Sequence, residues 1–376
     1  MTSPPDKPLL EAGLEEDEMP RVQVTRRNLI VGGLFIVGII AFIYIGLPRI
    51  SGLDDTWEKV HEGNPFWLAT AFAFTIASFG GYVLLFRGVY IRAGLRLTFS
   101  ESYQITMAGL AATRLFAAGG AGGIALTAWA LRRAGMDRRE VADNSVTFLV
   151  LMYAVYMVAM LIGGLGLRVG LFPGKAPFGV TVVPAIVAGV TIMLALLISL
   201  TPTDLQHRLA TYGQRGGRFA GLVQRLSNAP AALSAGVRGA GKHVRDGDPA
   251  LVGAILFWAL NVGVLWASFK AFGSSPSIAV LTMGFFVGML FNLLPLPGGV
   301  GGVDGGMIGA LLAFGEADKN TVLLAVLTYR AFAFYIPTIP GAVAYFQLRK
   351  TVQGWARPGH KPSERARKPA AIGATT

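Results

Sequence analysis

Charge is so unevenly spaced along this chain that its gaps, more than any motif, limit what it can fold into. Uncharged runs occupy 28–48, 63–86, 144–167, 176–203, 249–269 and 331–348. Each is near or above the roughly 18–20 apolar residues that carry a helix across a hydrocarbon core. A soluble domain has about 25% charged residues, whereas here the share is 14% against 53% hydrophobic. The expected fold is therefore an all-α polytopic membrane protein. Its first run is too long for a signal-peptide core of about 7–15 residues and reads as an uncleaved anchor. Six spans follow from the gaps, and two further runs are broken within. The run 102–131 contains Arg114 and Phe116-Ala117-Ala118-Gly119-Gly120-Ala121-Gly122-Gly123, and 271–315 contains Pro295-Leu296-Pro297-Gly298-Gly299-Val300-Gly301-Gly302 and Asp304.

The basic residues test this partition, because short cytoplasmic loops hold the excess of Lys and Arg. If both Gly-broken runs enter and leave by one face, 25 basic residues fall on one side and six on the other, with Arg114 and Arg330 left in the membrane. Both termini are then cytoplasmic in a cell (inner or plasma) membrane. The net charge of +12 is accounted for by topology, so nucleic acid is not an expected partner. The organisation read from this is a tail at 1–26, a transmembrane domain at 27–348 and a basic tail at 349–376. Within the domain lie a basic cytoplasmic loop at 201–248, with an amphipathic patch at Phe219, Leu222, Val223 and Leu226, and two repeats at about 98–168 and 276–348.

In both repeats an apolar helical run precedes the Gly cluster and another follows it, then a turn and a spanning helix. The first copy starts inside and the second outside, giving an inverted repeat of two re-entrant helical hairpins. A helix broken in a bilayer exposes backbone groups that lipid cannot satisfy, so the breaks must line protein or water. The new helices near Ile124 and Val303 would aim two N-termini at the centre, a setting suited to phosphate or carboxylate. The plainer alternative is that the glycines only let helices pack closely.

Ionisable groups inside apolar runs are costly and by default functional. Asp304 suits either an N-cap of the second half-helix or a partner for Arg330, which follows Tyr329. Arg114 suits either a substrate contact or snorkelling to the cytoplasmic interface. Thr127, Asn144, Asn292 and Tyr335 are candidates for interhelical hydrogen bonds or for the lining of a path, and Trp57 and Trp67 for the outer interface. Pro337 and Pro340 would kink the last span or free carbonyls. The candidate substrate-binding set is Arg114, Gly119, Gly120, Gly122, Gly123, Thr127, Asn292, Pro297, Gly298, Gly299, Gly301, Gly302, Asp304, Tyr329 and Arg330. Without cysteines, thiolate metal sites and disulfides are excluded, and the four histidines lack metal-ligand spacing. No Walker A or GxSxG sequence is present. No catalytic residue, metal or cofactor is expected.

Residues 295–305, with Tyr329-Arg330 downstream, resemble the lysylphosphatidylglycerol synthase/flippase transmembrane family, which includes flippase-like UPF0104 integral membrane proteins. The resemblance covers roughly 25–350 and implies movement of lipids, such as aminoacylated phosphatidylglycerol, between leaflets, with an acidic residue at the place of Asp304. The first copy departs from the family pattern at Ala118, Gly123 and the apolar 146–152 stretch. The soluble synthase domain of bifunctional members has no counterpart after the last span, so enzyme activity is not expected. The expected function is a flippase or transporter of an anionic, zwitterionic or aminoacylated phospholipid, with membrane lipids as partners and a possible homo-oligomer. The alternative is an accessory or scaffold protein in cell-envelope lipid or isoprenoid-linked glycolipid synthesis, held to an envelope-synthesis partner.

Overall fold

The computed structural model describes residues 63–91, 95–115, 121–199, 236–293 and 301–356, together with Ser234, Gly299 and Pro362. Every regular element among them is helical: α1 (Pro65–Tyr90), α2 (Phe99–Leu115), α3 (Ala121–Arg133), α4 (Arg138–Arg168) and α5 (Phe178–Ser199) come first. They are followed by α6 (Pro249–Ala271), α7 (Ile278–Leu290), α8 (Gly302–Phe314), α9 (Lys319–Arg330) and α10 (Ile336–Trp355). Among the described residues five helices are long and apolar enough to cross a membrane: α1, α4, α5, α6 and the continuous stretch Lys319–Trp355. The expected first span at 28–48 and the amphipathic patch at 219–226 lie outside the described residues.

The helix ends follow local chemistry. Asn64 and Asp248 cap α1 and α6 by accepting the N–H two residues on, each ahead of a proline that has no N–H to lose. Asp318 accepts from Asn320 and Thr321 at the start of α9. That cap starts the last span twelve residues earlier than its uncharged run. Lys319 stands at the helix start, and Arg330 is buried within the span.

α1 and α6 form the spine of the bundle. A Cβ added to Gly253 would lie 2.4 Å from the Leu85 amide nitrogen and 2.7 Å from the Gly81 carbonyl oxygen. The two backbones therefore touch, and small residues at such crossings are the usual means of close packing in membranes. Around this spine sit two apolar clusters. One gathers Phe269, Phe285, Phe314, Leu167 and Val322, and the other Tyr90, Leu131, Val141, Ala250 and Trp355. The α7/α8 pair belongs to the first cluster and the α2/α3 pair to the second. Trp67, Trp266 and Lys270 meet where α1 begins and α6 ends, with the ammonium 6.0 Å from the Trp67 ring centre and 5.8 Å from that of Trp266. On the outside, α5 presents Ile186, Val190, Met193 and Leu194 fully half exposed or nearly so, an apolar surface that water would not tolerate at this size.

Candidate functional site

The helices on either side of each Gly cluster are short. α3, α7 and α8 have thirteen residues each, about 20 Å of rise against a hydrocarbon core of about 30 Å, and α2 has seventeen. Each pair packs against itself as a hairpin. In the first, Gly123 is required by the contact: a Cβ there would lie 2.0 Å from Thr113 Oγ1 and 2.3 Å from the Gly109 carbonyl oxygen. The hydroxyl can rotate but the carbonyl cannot. Gly123→Ala should therefore lose about 1–3 kcal/mol of stability, the usual cost of overpacking. Gly179→Ala, whose Cβ meets nothing within 4 Å, should be neutral or slightly stabilising. Thermal unfolding of the two variants in detergent checks this, and equal melting temperatures would show that the hairpin can relax.

In the second hairpin, Gly299 and Gly301 take φ values of +66° and +81°, which side chains with a Cβ rarely adopt. Those turns deliver the chain to the start of α8. Asp304 there serves both roles open to it. Its Oδ2 accepts the Gly301 N–H at 3.0 Å, and its Oδ1 pairs with Arg330 Nε. The N-terminus of α8 thus already holds a carboxylate, so it is not a vacant anion site of the kind the helix break suggested.

Arg114, at the end of α2, does not snorkel. It reaches 220 residues along the chain to the five-residue π-helical segment Ala331–Tyr335, which joins α9 to α10. Nη2 donates to the Ala333 carbonyl at 2.9 Å and Nη1 to the Phe334 carbonyl at 2.6 Å. Pro337 explains why the first carbonyl is available, since it lacks the N–H that residue 333 would receive in a regular helix. The Phe334 ring meets both guanidinium groups, its centre 4.8 Å from Arg114 Cζ and 4.3 Å from Arg330 Cζ. Both contacts are within cation–π range.

Arg114, Asp304 and Arg330 are therefore brought together from both hairpins and the last span. Tyr329 is buried with its ring edge-on to Phe285. The Asn292 side chain sits beneath Gly299, its Oδ1 2.7 Å from where a Cβ would stand. Gly122, Gly123 and Gly302 occupy the first turns of α3 and α8. Gly119, Gly120, Pro297 and Gly298 lie outside the described residues. Sequence reasoning missed Phe334 as the shared ring. Its signal was Pro337, which marks a freed carbonyl, but nothing local to residue 114 pointed there. Among the described residues no group of three or more His, Asp or Glu could hold a metal ion.

A bundle of apolar spans with short helix pairs, a buried Arg330 within the last span and a half-buried Arg114 at the end of α2 defines a multi-pass membrane protein. The profile of the family described as "Lysylphosphatidylglycerol synthase TM region" matches residues 29–341, and the chain belongs to that family. Two curated relatives from Methanothermobacter thermautotrophicus, both called "UPF0104 membrane protein", are similar over shorter stretches. One is 36% identical over 88 residues, covering 23% of this chain and 25% of the relative. The other is 30% identical over 96 residues, covering 25% and 28%. The chain thus spans about a quarter of the length of the curated relatives it matches.

Proposed function

We propose that the protein is a lipid translocator, not an enzyme, that passes a phosphate-bearing head group between leaflets while the acyl chains stay in the bilayer. The observation that carries this is a charge imbalance. Among the described residues the partners of Arg114 are two carbonyls, a hydroxyl and the Phe334 ring, which Arg330 also meets, and no carboxylate pairs with it. An extra buried cation in a bilayer is costly unless an anion visits it. A lipid phosphate supplies that anion, and two guanidinium groups are well shaped to receive it.

The route we infer is between two re-entrant hairpins entering from opposite faces. Supporting this, α2 begins beside the end of α1, where Arg87 Nη1 donates to the Leu97 carbonyl and to Ser102 Oγ. α7 follows the other end of the spine, where the Asn64 N–H meets the Ala271 carbonyl. Together with the basic-residue asymmetry, this supports a reading with both termini in the cytoplasm and the protein in the inner or plasma membrane. Transport would be passive or ion-coupled, since the sequence carries no Walker A element.

The test is dithionite quenching of fluorescent phospholipid in proteoliposomes. Wild-type protein should expose inner-leaflet label faster than empty vesicles, and Asp304→Asn and Arg330→Ala should each slow it about tenfold or more, as expected for losing a buried charge partner. Wild-type vesicles no faster than empty ones would refute translocation, and variants at the wild-type rate would make the ion pair structural.

A further inference from the structure

A cavity of about 90 Å³ lies between α1, α2, α3 and α4, several times the roughly 10–15 Å³ that one water needs. Six hydroxyl side chains from the four helices line it: Tyr82, Tyr90, Thr106, Thr113, Thr127 and Ser145. In a bundle this apolar, such a gathering is not what packing alone selects.

Four of those hydroxyls are occupied within the protein. Thr106 bonds to the Ser102 and Tyr103 carbonyls, Thr113 to the Gly109 carbonyl, and Tyr90 and Ser145 to each other at 3.0 Å. Tyr82 and Thr127 make no hydrogen bond among the described residues. A threonine or serine in an apolar helix ordinarily bonds back to the carbonyl one turn earlier. Thr70, Thr75, Thr181, Ser268 and Thr282 all do so here, and Thr127 does not. Two hydroxyls thus face the cavity with their hydrogen-bonding capacity unspent.

The lining also contains no Asp, Glu, Lys or Arg. Thr113, one of the lining residues, adjoins Arg114 in the chain. A ligand spanning both places would bring a phosphate to Arg114 and an uncharged, hydrogen-bonding group to the hydroxyls. An ammonium in the same position would be desolvated beside a like charge with no carboxylate to receive it.

We propose that this cavity takes the uncharged polyol portion of an anionic phospholipid head group, which makes the substrate class glycerol- or sugar-type phosphodiesters and excludes head groups that carry an ammonium. The proposal rests on the reading of Arg114 as a phosphate site. It also runs against aminoacylated lipid as the cargo, since an aminoacyl group would put its ammonium among these hydroxyls.

The experiment compares fluorescent phosphatidylglycerol and phosphatidylethanolamine, labelled on an acyl chain, in the same proteoliposome assay. Wild-type protein should move the glycerol lipid about tenfold faster or more. The Tyr82→Phe/Thr127→Val double variant should slow the glycerol lipid about tenfold, the effect of losing two hydrogen bonds of ordinary net strength, and so remove its advantage over the ethanolamine lipid. Equal wild-type rates for the two lipids, or an unchanged glycerol rate in the double variant, would overturn the proposal while leaving translocation standing. Wild-type protein that moves neither lipid would overturn both.

A second measurement does not depend on the variants' transport rates. The chain has no cysteine, so Thr127→Cys introduces a single thiol. It should react with a water-soluble methanethiosulfonate, and more slowly in phosphatidylglycerol vesicles than in phosphatidylcholine vesicles. An unreactive thiol would show a sealed packing void and overturn the proposal.

Discussion

Asp304→Ala should cost the protein about 3–5 kcal/mol of stability, the penalty for removing one partner of a buried ion pair. Arg330 is 5% exposed, and its Nε faces Asp304 Oδ1, so truncation leaves a charge that cannot reach water. The same substitution deprives the Gly301 N–H of its acceptor at the start of α8, adding the loss of a cap. The informative comparison is the double variant Asp304→Ala/Arg330→Met. With both charges gone and the aliphatic volume of the arginine retained, most of the lost stability should return, as it does when a buried ion pair is replaced by apolar groups. The part attributable to the Gly301 N–H should not return. Lipid transport should stay lost in the double variant, because the restored packing brings no charge back. Thermal unfolding in detergent and the flip assay read the two quantities separately. A double variant as unstable as Asp304→Ala alone would show that the carboxylate acts chiefly as a helix cap.

The parts of this architecture that sequence revealed are those governed by solvation along a single helix. An uncharged run bounded by Arg or Lys must sit in hydrocarbon, and α1, α4, α5 and α6 lie within a few residues of their runs at 63–86, 144–167, 176–203 and 249–269. The second Gly cluster likewise marked a real turn, because Gly299 and Gly301 take positive φ ahead of α8, where a residue with a Cβ would be strained. The last span was shortened at sequence level for a physical reason. Arg330 reads as a boundary when counted as a free charge, but its pairing with Asp304 lets the helix continue through it from Lys319. Contacts between distant helices were not legible. Arg114 and Pro337 each carried a signal, an unpaired cation and a freed carbonyl, and their complementarity appears when α2 packs against α10. The hydroxyl-lined cavity was hidden for the same reason. Thr127 was singled out, but Tyr82, Thr106, Thr113 and Ser145 look like ordinary interior residues until four helices place them around one space.

That complementarity between Arg114 and Pro337 permits a prediction that separates what the arginine does for the fold from what it does for cargo. Arg114→Gln should lower stability by about 1–3 kcal/mol, because the Ala333 carbonyl loses its guanidinium donor and the Phe334 carbonyl is left with the Thr338 hydroxyl. It should also slow transport about a hundredfold or more, by removing the buried cation that the phosphate visits. Pro337→Ala supplies a backbone N–H one turn after Ala333 and so offers that carbonyl a new partner. In the Pro337→Ala background, Arg114→Gln should therefore cost measurably less stability than it does alone, a positive coupling in a double-mutant cycle. Transport should not follow, since the helix would be repaired while the cation remained absent. Arg114→Lys gives the converse arrangement: the charge is kept, but one ammonium cannot reproduce two directed guanidinium bonds. It should retain more transport than Arg114→Gln while losing similar stability. If Pro337→Ala instead restored transport together with stability, Arg114 would be a staple for the π-helical segment. The path of the head group would then have to rest on Arg330 alone, beside an aspartate that already neutralises it.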